Sequence, residues 1–496
     1  MSCAPRIVEH LPANRLGRYI HRLVQSEGQS TADWGIYARN LKTSKVLVEY
    51  NADKLFLPAS NTKLYTTSAA LELLKPGFRY VTPIMATGPV RDSVLTGDLI
   101  VVGVGDPTWS GRFHEDDGTR VFQGWADSLK ALGVGVIAGD IVGVDAVFDD
   151  FLLGSGWSWD NESYYYSAQV TGLSFNENTL NVTIEPSESG QSPTIVTNPL
   201  TSYVTIENRL VTLDTLAWLD SLGLLDSLAL VDTLMLPDSL VFPEPNWDLN
   251  RPRGTNRIIF KGILLPDTIE TGASVEDPVT YTATVLKETL MREGINVQGG
   301  IRGISLFQDE TGAEVAEADT LFLYHSPPLR DIIYYLNKDS QNFMAETLLR
   351  TIGILAGNGG SARSGLNLAR QVWAEMGVDT NSTFLVDGSG LSRYNKLTPR
   401  NTVRLLTYMS GDSTFIRSLP IAGVNGTLEK QMKNTAAEGR VFAKTGTLMH
   451  VRSLSGYAVN LKGDWIVFSI MVNDFLTPLS EVNDKIARLC ELLVLQ

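Results

Sequence analysis

The sequence predicts an α+β fold in which strands from both ends of the chain form one antiparallel five-stranded sheet covered by helices. Near the start, residues 33–51 carry two runs of strand-forming residues around a Lys-Thr-Ser-Lys turn, the pattern of a β-hairpin. Near the end, three further strand patterns occupy residues 441–448, 453–461 and 464–474, and a Lys-Gly-Asp turn joins the last two. Helical patterns flank both groups of strands and supply the cover that such a sheet needs.

The helices are predicted from apolar stripes. Residues 12–28 and 479–495 each place apolar side chains on one face, as a helix packed on a sheet does. A third helix starts near Ser60 and ends at Lys75-Pro76-Gly77, a sequence that stops helices. Helices within residues 326–357 and 361–377 would complete the cover of the sheet.

The length of 496 residues is too great for one ordinary hydrophobic core, so two or three domains are expected. Between about 85 and 310 the sequence is rich in Gly, Asp and short β patterns, which indicates an inserted β-rich unit. We therefore predict an outer domain (1–84 and 310–496), an inserted β-rich domain (85–190 and 265–309) and an innermost domain (191–264).

The innermost domain contains a six-residue repeat of Asp-Ser/Thr-Leu. The repeat begins at Asp214, Asp220, Asp226, Asp232 and Asp238. A period of six would spread the leucines around a helix, whereas it suits strands or β-arches that break at each Asp-Ser/Thr pair. We interpret the tract at 214–240 as a structural or partner-contacting appendage.

Composition and charge exclude several classes of function. The net charge of −14 argues against nucleic acids and anionic membranes as partners, and no apolar run is long enough to span a bilayer. The five histidines are scattered and there are two cysteines, so no metal site is predicted, and no cofactor. The start lacks a secretory signal, which leaves a cytoplasmic chain or a removed signal; Cys3 is either a lipid acceptor or an ordinary cysteine.

Ser60 and Lys63 form the first candidate catalytic motif. One helical turn separates them, and Ser60 would lie at a helix start, where exposed N–H groups and the positive end of the helix dipole favour negative charge. A lysine in partly desolvated surroundings can lose its proton near neutral pH and act as a base. This pair alone favours the other interpretation, a capping serine followed by a solvated lysine.

Two later motifs favour the catalytic interpretation. Ser340 and Asn342 lie two residues apart on a predicted connection between helices. Lys444-Thr445-Gly446-Thr447 begins a predicted strand, where the glycine allows another chain to approach closely. Ser-x-x-Lys, Ser-x-Asn and Lys-Thr-Gly thus follow one another in chain order on a helix, a loop and a strand.

This ordered triple resembles that of the penicillin-binding protein and serine β-lactamase superfamily. In detail the chain is similar to the class C low-molecular-mass D-alanyl-D-alanine carboxypeptidases/endopeptidases, peptidase family S13, over residues 30–190 and 260–475. The segments that carry the resemblance include "LPASNTKLYTTSAAL", "GDLIVVGVGDPTW", "HSPPLRDIIYYLNKDSQNFMAETLLR" and "AKTGTLMHVRSLSGY". It implies a penicillin-binding-protein/serine β-lactamase-like domain with nested β-rich inserts. The second motif reads Ser-Gln-Asn where many relatives have Ser-Asp-Asn.

The resemblance implies roles for the motif residues. Ser60 would attack the carbonyl of the penultimate D-alanine, Lys63 would be its general base, and Ser340 and Lys444 would pass the proton to the leaving amine. The backbone N–H groups of Ser60 and Thr447 would form the oxyanion hole.

The remaining implied roles concern substrate binding. Asn342 would bind the substrate peptide, and Lys444, Thr445, Gly446 and Thr447 would hold its terminal carboxylate. Four further residues resemble those that line the family's substrate cleft: Arg393, Asp160, Asn161 and Tyr166. For Arg393 a loop-closing role is equally possible, and for Tyr166 plain core packing.

The implied function is a serine DD-peptidase of the cell envelope or periplasm. It would cleave D-Ala-D-Ala or D-Ala–diamino acid bonds of peptidoglycan stem peptides, and β-lactams would acylate Ser60. Two alternatives stay open at this point, a β-lactamase or esterase on the same scaffold and a non-catalytic wall-binding protein.

Overall fold

The computed structural model of the protein describes most of the chain. The described residues are 14–149, 151–214, 217–218, 247–305, 315–357 and 359–496. Cys3 and most of the Asp-Ser/Thr-Leu tract lie outside these residues, so the predicted strands or β-arches of the tract stay a prediction.

Strands from both ends of the chain form one five-stranded sheet. In spatial order its strands are β18 (Val441–Leu448), β19 (Val451–Val459), β20 (Trp465–Asn473), β1 (Asp33–Asn40) and β2 (Val46–Tyr50). Every neighbouring pair is antiparallel. The predicted antiparallel sheet is therefore confirmed, and each predicted strand lies within two residues of the observed one at its start and its end.

Helices cover both faces of this sheet. The longer described helices, in chain order, are α1 (Arg15–Leu23), α2 (Thr62–Leu74), α3 (Arg120–Ala131), α4 (Pro278–Arg292), α5 (Leu329–Lys338), α6 (Asn342–Ile354), α7 (Ala362–Glu375), α8 (Pro399–Met409), α9 (Ser413–Ser418) and α10 (Leu479–Val494). The terminal helices α1 and α10 pack on one face, against residues such as Phe468 and Ile470 of β20. On the other face, Val467 and Met471 belong to one hydrophobic cluster with residues of α2 and α5–α8, of which α8 packs directly on β20. This alternation along β20 is what a strand covered on both faces requires.

Four further sheets are formed by strands that lie between α2 and α5 in the chain. A mixed five-stranded sheet has the order β16 (Ile301–Ser305), β8 (Ile141–Asp145), β6 (Leu99–Gly103), β3 (Val81–Ala86) and β17 (Asp319–His325). A four-stranded sheet has the order β15 (Asn296–Val297), β7 (Val136–Ile137), β5 (Val94–Leu95) and β4 (Val90–Arg91). One three-stranded sheet has the order β10 (Thr194–Asn198), β9 (Thr179–Glu185) and β14 (Ile269–Ser274). The other has the order β11 (Thr205–Thr212), β13 (Arg257–Leu264) and β12 (Trp247–Asn250).

The strand pairings bear on the domain limits, which remain a proposal. Strand β3 crosses the predicted limit at 84 and pairs with β17, which lies beyond the predicted limit at 310. Strand β10 lies beyond the predicted limit at 190 and pairs with β9. We therefore propose an inserted unit that extends from about 81 to 325, so that it keeps its mixed sheet whole.

Two helices in the insert were not predicted. Helices α3 and α4 share one hydrophobic cluster with the mixed sheet, through residues such as Trp125 and Leu286. Helix α4 contains Thr, Val and Tyr, which favour strands, and its burial against the mixed sheet helps to override that preference. Among the described residues, no helix is both long and apolar enough to cross a membrane.

Candidate active site

Ser60 lies on a single helical turn directly before α2. This turn spans Ala59–Asn61, and Ala59 adopts a positive φ of 47° that bends the chain into it. The Ser60 hydroxyl does not cap the helix; it accepts a hydrogen bond of 2.8 Å from Nζ of Lys63. Lys63 is completely buried. The interpretation of the pair as a cap followed by a solvated lysine is therefore wrong.

The side-chain nitrogen of Lys63 is held at three points. Besides Ser60, it donates to Oδ1 of Asn342 at 2.6 Å and to the backbone carbonyl of Ser389 at 2.7 Å. Burial lowers the pKa of Lys63 to about 7, against the opposite effect of the Asp387 and Glu346 carboxyls. A lysine with such a pKa is available as a free amine at neutral pH, next to a hydroxyl that it can deprotonate.

Two buried carboxyl groups support the loop beneath Lys63. One oxygen of Glu346 accepts from the backbone N–H groups of Gly388 and Ser389, which fixes the Ser389 carbonyl that Lys63 contacts. Asp387 accepts from the N–H groups of Gly390 and Ser392. Burial, and then the charge of Asp387, raises the pKa of Glu346. Sequence analysis did not identify either residue, although Asp387 opens the "DGSGLSR" segment that carries Arg393.

Ser340 and Lys444 form a second hydroxyl–amine pair. Nζ of Lys444 donates to Oγ of Ser340 at 2.8 Å and to the carbonyl of Thr445 at 3.0 Å. Burial, followed by the charges of Lys63 and Arg452, holds the pKa of Lys444 well below its usual range. Ser340 lies between α5 and α6 with a positive φ of 60°, which turns its hydroxyl towards β18.

Gly446 lets β18 lie directly against the Ser60 turn. A Cβ atom at this position would lie 2.3 Å from Oγ of Ser453, 2.7 Å from the carbonyl of Pro58 and 2.9 Å from the backbone N of Ser60. The glycine of the Lys-Thr-Gly motif thus allows β18 and the Ser60 turn to approach closely, as its position in the sequence predicts. Next to it, Arg452 of β19 donates to the hydroxyl of Thr447. Arg452 was not among the predicted site residues.

The predicted residues surround one cleft of about 1430 Å³. Its lining includes Ser60, Ser340, Asn342, Arg393, Thr445, Gly446, Thr447, Asp160, Asn161 and Tyr166. Lys63 and Lys444 are buried behind this surface and reach it through Ser60 and Ser340. In the part of the chain that the structure describes, no group of three His, Cys, Asp or Glu side chains could hold a metal ion.

The insert supplies one wall of the cleft and contacts the second motif. Tyr166 accepts at its backbone carbonyl from Nδ2 of Asn342 at 2.7 Å, and its hydroxyl donates to Asn161. Tyr166 therefore lies in the cleft wall, where it also stacks on Tyr164 with 5.4 Å between ring centroids. Arg393, which also lines the cleft, donates to the carbonyl of Met449 at 3.2 Å.

Gln341 connects the second motif to the insert. Its Nε2 donates to Glu177, which also pairs with Arg112, and Arg112 in turn contacts Asp339. Burial raises the pKa of Glu177, against the opposing charge of Arg112. An amide rather than a carboxylate at position 341 suits this place because it can donate to Glu177.

Replacement of Gln341 by glutamate is expected to slow acylation of Ser60 roughly tenfold, because two carboxyl groups would then face each other next to Ser340. Glu177→Gln in the same chain should restore most of the rate. The measurement is the rate of acylation by a chromogenic β-lactam in all four members of the double-mutant cycle. Gln191→Glu is a matched control, since Gln191 donates to Glu188 on the exposed surface. Independent effects of the two substitutions would contradict this role.

Comparisons with known proteins show the family to which the chain belongs. The profile of the D-Ala-D-Ala carboxypeptidase 3 (S13) family matches residues 17–217 and 241–492. A D-alanyl-D-alanine carboxypeptidase of Actinomadura sp. (strain R39) is 32% identical over 92% of this chain and 81% of its own length. DacB of Haemophilus influenzae, also a D-alanyl-D-alanine carboxypeptidase, is 24% identical over 92% of this chain and 88% of its own.

The fold is shared with solved structures. The crystal structure of penicillin binding protein 4 (dacB) from Haemophilus influenzae superimposes with a TM-score of 0.76 at 22% identity, over 97% of this chain and 98% of that chain. The same protein in complex with a β-lactam gives a TM-score of 0.71. The resemblance drawn from the three motifs is confirmed: this chain is a serine peptidase that belongs to the D-Ala-D-Ala carboxypeptidase 3 (S13) family, the class C penicillin-binding proteins.

Proposed function

We propose that this serine DD-peptidase cleaves its substrate through an acyl-enzyme on Ser60, with Lys63 as the general base. The observation that carries the proposal is the contact of 2.8 Å between Nζ of Lys63 and Oγ of Ser60, made by a completely buried amine. The amine accepts the hydroxyl proton while Oγ bonds to the carbonyl carbon of the penultimate D-alanine. The C–N bond then breaks, D-alanine leaves as an amine, and water later hydrolyses the ester.

Ser340 and Lys444 are proposed to deliver the proton to the leaving amine. Their contact of 2.8 Å provides a proton path that is separate from the contact between Lys63 and Ser60. Positive charge at Lys63 and Lys444 together is unfavourable in this buried site, since each lowers the proton affinity of the other. Proton uptake at Lys63 therefore favours proton release along the second pair.

The oxyanion hole is proposed to consist of the backbone N–H groups of Ser60 and Thr447. Gly446 supports this, because its missing side chain lets β18 approach the N–H of Ser60. Such preorganised donors stabilise the negative oxygen of the tetrahedral intermediate. Thr445 and Thr447, together with Lys444, are proposed to hold the terminal carboxylate of the substrate, and Arg452 adds a second cation beside Thr447.

Asn342 already uses both ends of its side-chain amide within the protein. Oδ1 accepts from Lys63 and Nδ2 donates to the carbonyl of Tyr166. We propose that it positions Lys63 in the free enzyme. Binding of the substrate peptide by Asn342, which the family resemblance implies, then requires the amide to exchange its bond to Tyr166 for one to the substrate.

Asp160, Asn161 and Tyr166 are proposed to bind the free end of the diamino-acid side chain of the stem peptide, and Arg393 is proposed to line the substrate cleft. All four line the cleft, and Asp160 and Tyr166 offer a carboxylate and an aromatic ring suited to an ammonium group. The same site would serve carboxypeptidase and endopeptidase cleavage. We further propose that β-lactams acylate Ser60, as the complex of the Haemophilus influenzae protein with a β-lactam suggests. The enzyme is proposed to act in the periplasm or cell envelope, with Cys3 as a lipid acceptor.

The test is intact-protein mass spectrometry after treatment with penicillin, together with release of D-alanine from a D-Ala-D-Ala peptide. Wild type should gain one adduct on the Ser60 peptide and should release D-alanine, whereas Ser60→Ala should do neither. Rapid turnover of penicillin in place of a long-lived adduct would favour the β-lactamase alternative. Equal behaviour of wild type and Ser60→Ala would favour a non-catalytic wall-binding protein.

A further inference from the structure

The active-site cleft continues beyond the catalytic residues onto one face of the sheet β10-β9-β14. Its volume of about 1430 Å³ exceeds the roughly 300–1,000 Å³ of a pocket for one small ligand. The cleft-facing residues of this sheet, here called the polar sheet face, are Asn181, Thr183, Val196, Asn198, Glu270 and Gly272. We propose that the polar sheet face binds the N-acetylated glycan strand to which the stem peptide is attached. This inference rests on the proposed function.

The polar sheet face is a regular surface. Asn198, Asn181 and Gly272 lie side by side on the three strands, and Val196, Thr183 and Glu270 form the next row. The alternate residues Leu180, Val182 and Ile184 of β9 point to the other face and are buried in a hydrophobic cluster. The polar side chains are thus presented by a backbone that packing holds in place.

A chain of direct contacts joins this face to the catalytic residues. Asn342 donates to the carbonyl of Tyr166, and the ring of Tyr166 lies 5.5 Å from that of Tyr165. Tyr165 in turn lies against β14, where a Cβ atom at Gly272 would be 2.9 Å from its own Cβ. The Tyr165 side chain remains 46% exposed and lines the cleft. A ligand can therefore extend from Ser60 past Tyr165 onto the polar sheet face.

The chemistry of the face favours a carbohydrate. Asn181, Thr183 and Glu270 make no side-chain hydrogen bond or ion pair with any residue that the structure describes, so their donors and acceptors are available to hydroxyl and acetamido groups. Neither row contains a cation, which disfavours an anionic ligand. Tyr165 adds an exposed ring on which the apolar side of a sugar can lie. A bound peptide strand would instead pair with the edge of a sheet, whereas the cleft presents a face.

The test compares two substrates that differ only in the sugar. One is a stem pentapeptide ending in D-Ala-D-Ala, and the other is the same pentapeptide on an N-acetylglucosamine–N-acetylmuramic acid disaccharide. We expect wild type to prefer the disaccharide substrate, and Asn181→Ala/Glu270→Gln to lower its kcat/KM about tenfold, as the loss of one or two hydrogen bonds predicts. Cleavage of the bare pentapeptide should not change. Glu185→Gln is the matched control, because Glu185 is exposed on the same strand, one row outside the cleft.

The other outcomes overturn the inference. If the double variant lowered kcat/KM equally for both substrates, or for neither, the polar sheet face would not bind sugar. A third substrate, a cross-linked peptide dimer without sugar, tests for peptide binding. If the double variant lowered kcat/KM for this dimer as much as for the disaccharide substrate, the polar sheet face would bind a second peptide instead. The rate of β-lactam acylation and the unfolding temperature show whether the variant is intact. If wild type cleaved neither substrate, the proposed function itself would fail, whereas cleavage of both at equal rates would overturn only the glycan inference.

Discussion

Replacement of Lys63 by methionine is expected to slow acylation of Ser60 by about 10²–10⁴-fold, the usual contribution of a general base. Methionine has a similar length and fills the same buried space, but it cannot accept a proton. The measurement is the rate of adduct formation with a β-lactam and the release of D-alanine from a D-Ala-D-Ala peptide. An unchanged acylation rate would exclude Lys63 as the base.

The pH dependence of the wild type tests the same amine. Below its pKa of about 7, Lys63 is protonated and cannot accept the proton of Ser60, so kcat/KM should fall as the pH decreases through 7 and should level off above it. The Lys63→Met variant should lack this dependence. If kcat/KM of the variant still fell as the pH decreased through 7, the titrating group would not be Lys63. Glu346 would then be the first group to examine, because burial raises its pKa.

Replacement of Gly446 by alanine has the second largest expected effect, a fall in kcat of about 10²–10³-fold, as loss of an oxyanion-hole donor produces. The added Cβ would lie 2.3 Å from Oγ of Ser453 and 2.7 Å from the carbonyl of Pro58. Ser453 can rotate, but the carbonyl belongs to the backbone, so β18 must move away from Ser60. Oxyanion stabilisation by Thr447 would then be lost.

A matched control for this substitution is Gly124→Ala. Gly124 lies on the exposed side of α3, and a Cβ there meets no heavy atom within 4 Å. Gly124→Ala should keep full activity in steady-state assays with a D-Ala-D-Ala peptide and should not lower the unfolding temperature, because alanine favours a helix more than glycine does. Only Gly446→Ala should lose activity. Full activity of Gly446→Ala would show that the oxyanion hole does not depend on this close approach.

The outer sheet and its helices could be predicted because their sequence patterns agree with their structure. In β20, for example, successive residues such as Val467 and Phe468 contact opposite faces, and both faces are covered. Helix α4 could not be predicted from composition, since its Thr, Val and Tyr residues favour strands. The signal that was present is Asp277-Pro278, a helix cap followed by proline at the first helical position, and Asp277 does accept from the N–H of Thr280.

The candidate site was predictable only as far as its motifs are local in sequence. Ser60 and Lys63, or Ser340 and Asn342, are close enough along the chain to form a recognisable pattern. Glu346, Asp387 and Arg452 act through contacts that depend on the tertiary structure, and single charged residues carry no such pattern. Their burial is what distinguishes them from ordinary surface charges: Glu346 is 1% exposed and Arg452 is 5% exposed. No property of the sequence alone reveals this burial.

The pairing of β1 with β20 has a consequence for how the enzyme becomes active during synthesis. Residues 33–40 can pair with β2 early, but their second partner, residues 466–473, is made only near the end of synthesis. The strand β18, which lies against Ser60, is synthesised more than 370 residues after Ser60. Contacts between such distant segments form slowly, because a long loop must close before they stabilise the fold. A growing chain therefore carries its nucleophile from the start but acquires the surrounding donors last. The insert, whose sheets pair among nearer segments, can fold first and hold the two halves of the outer domain at a short distance.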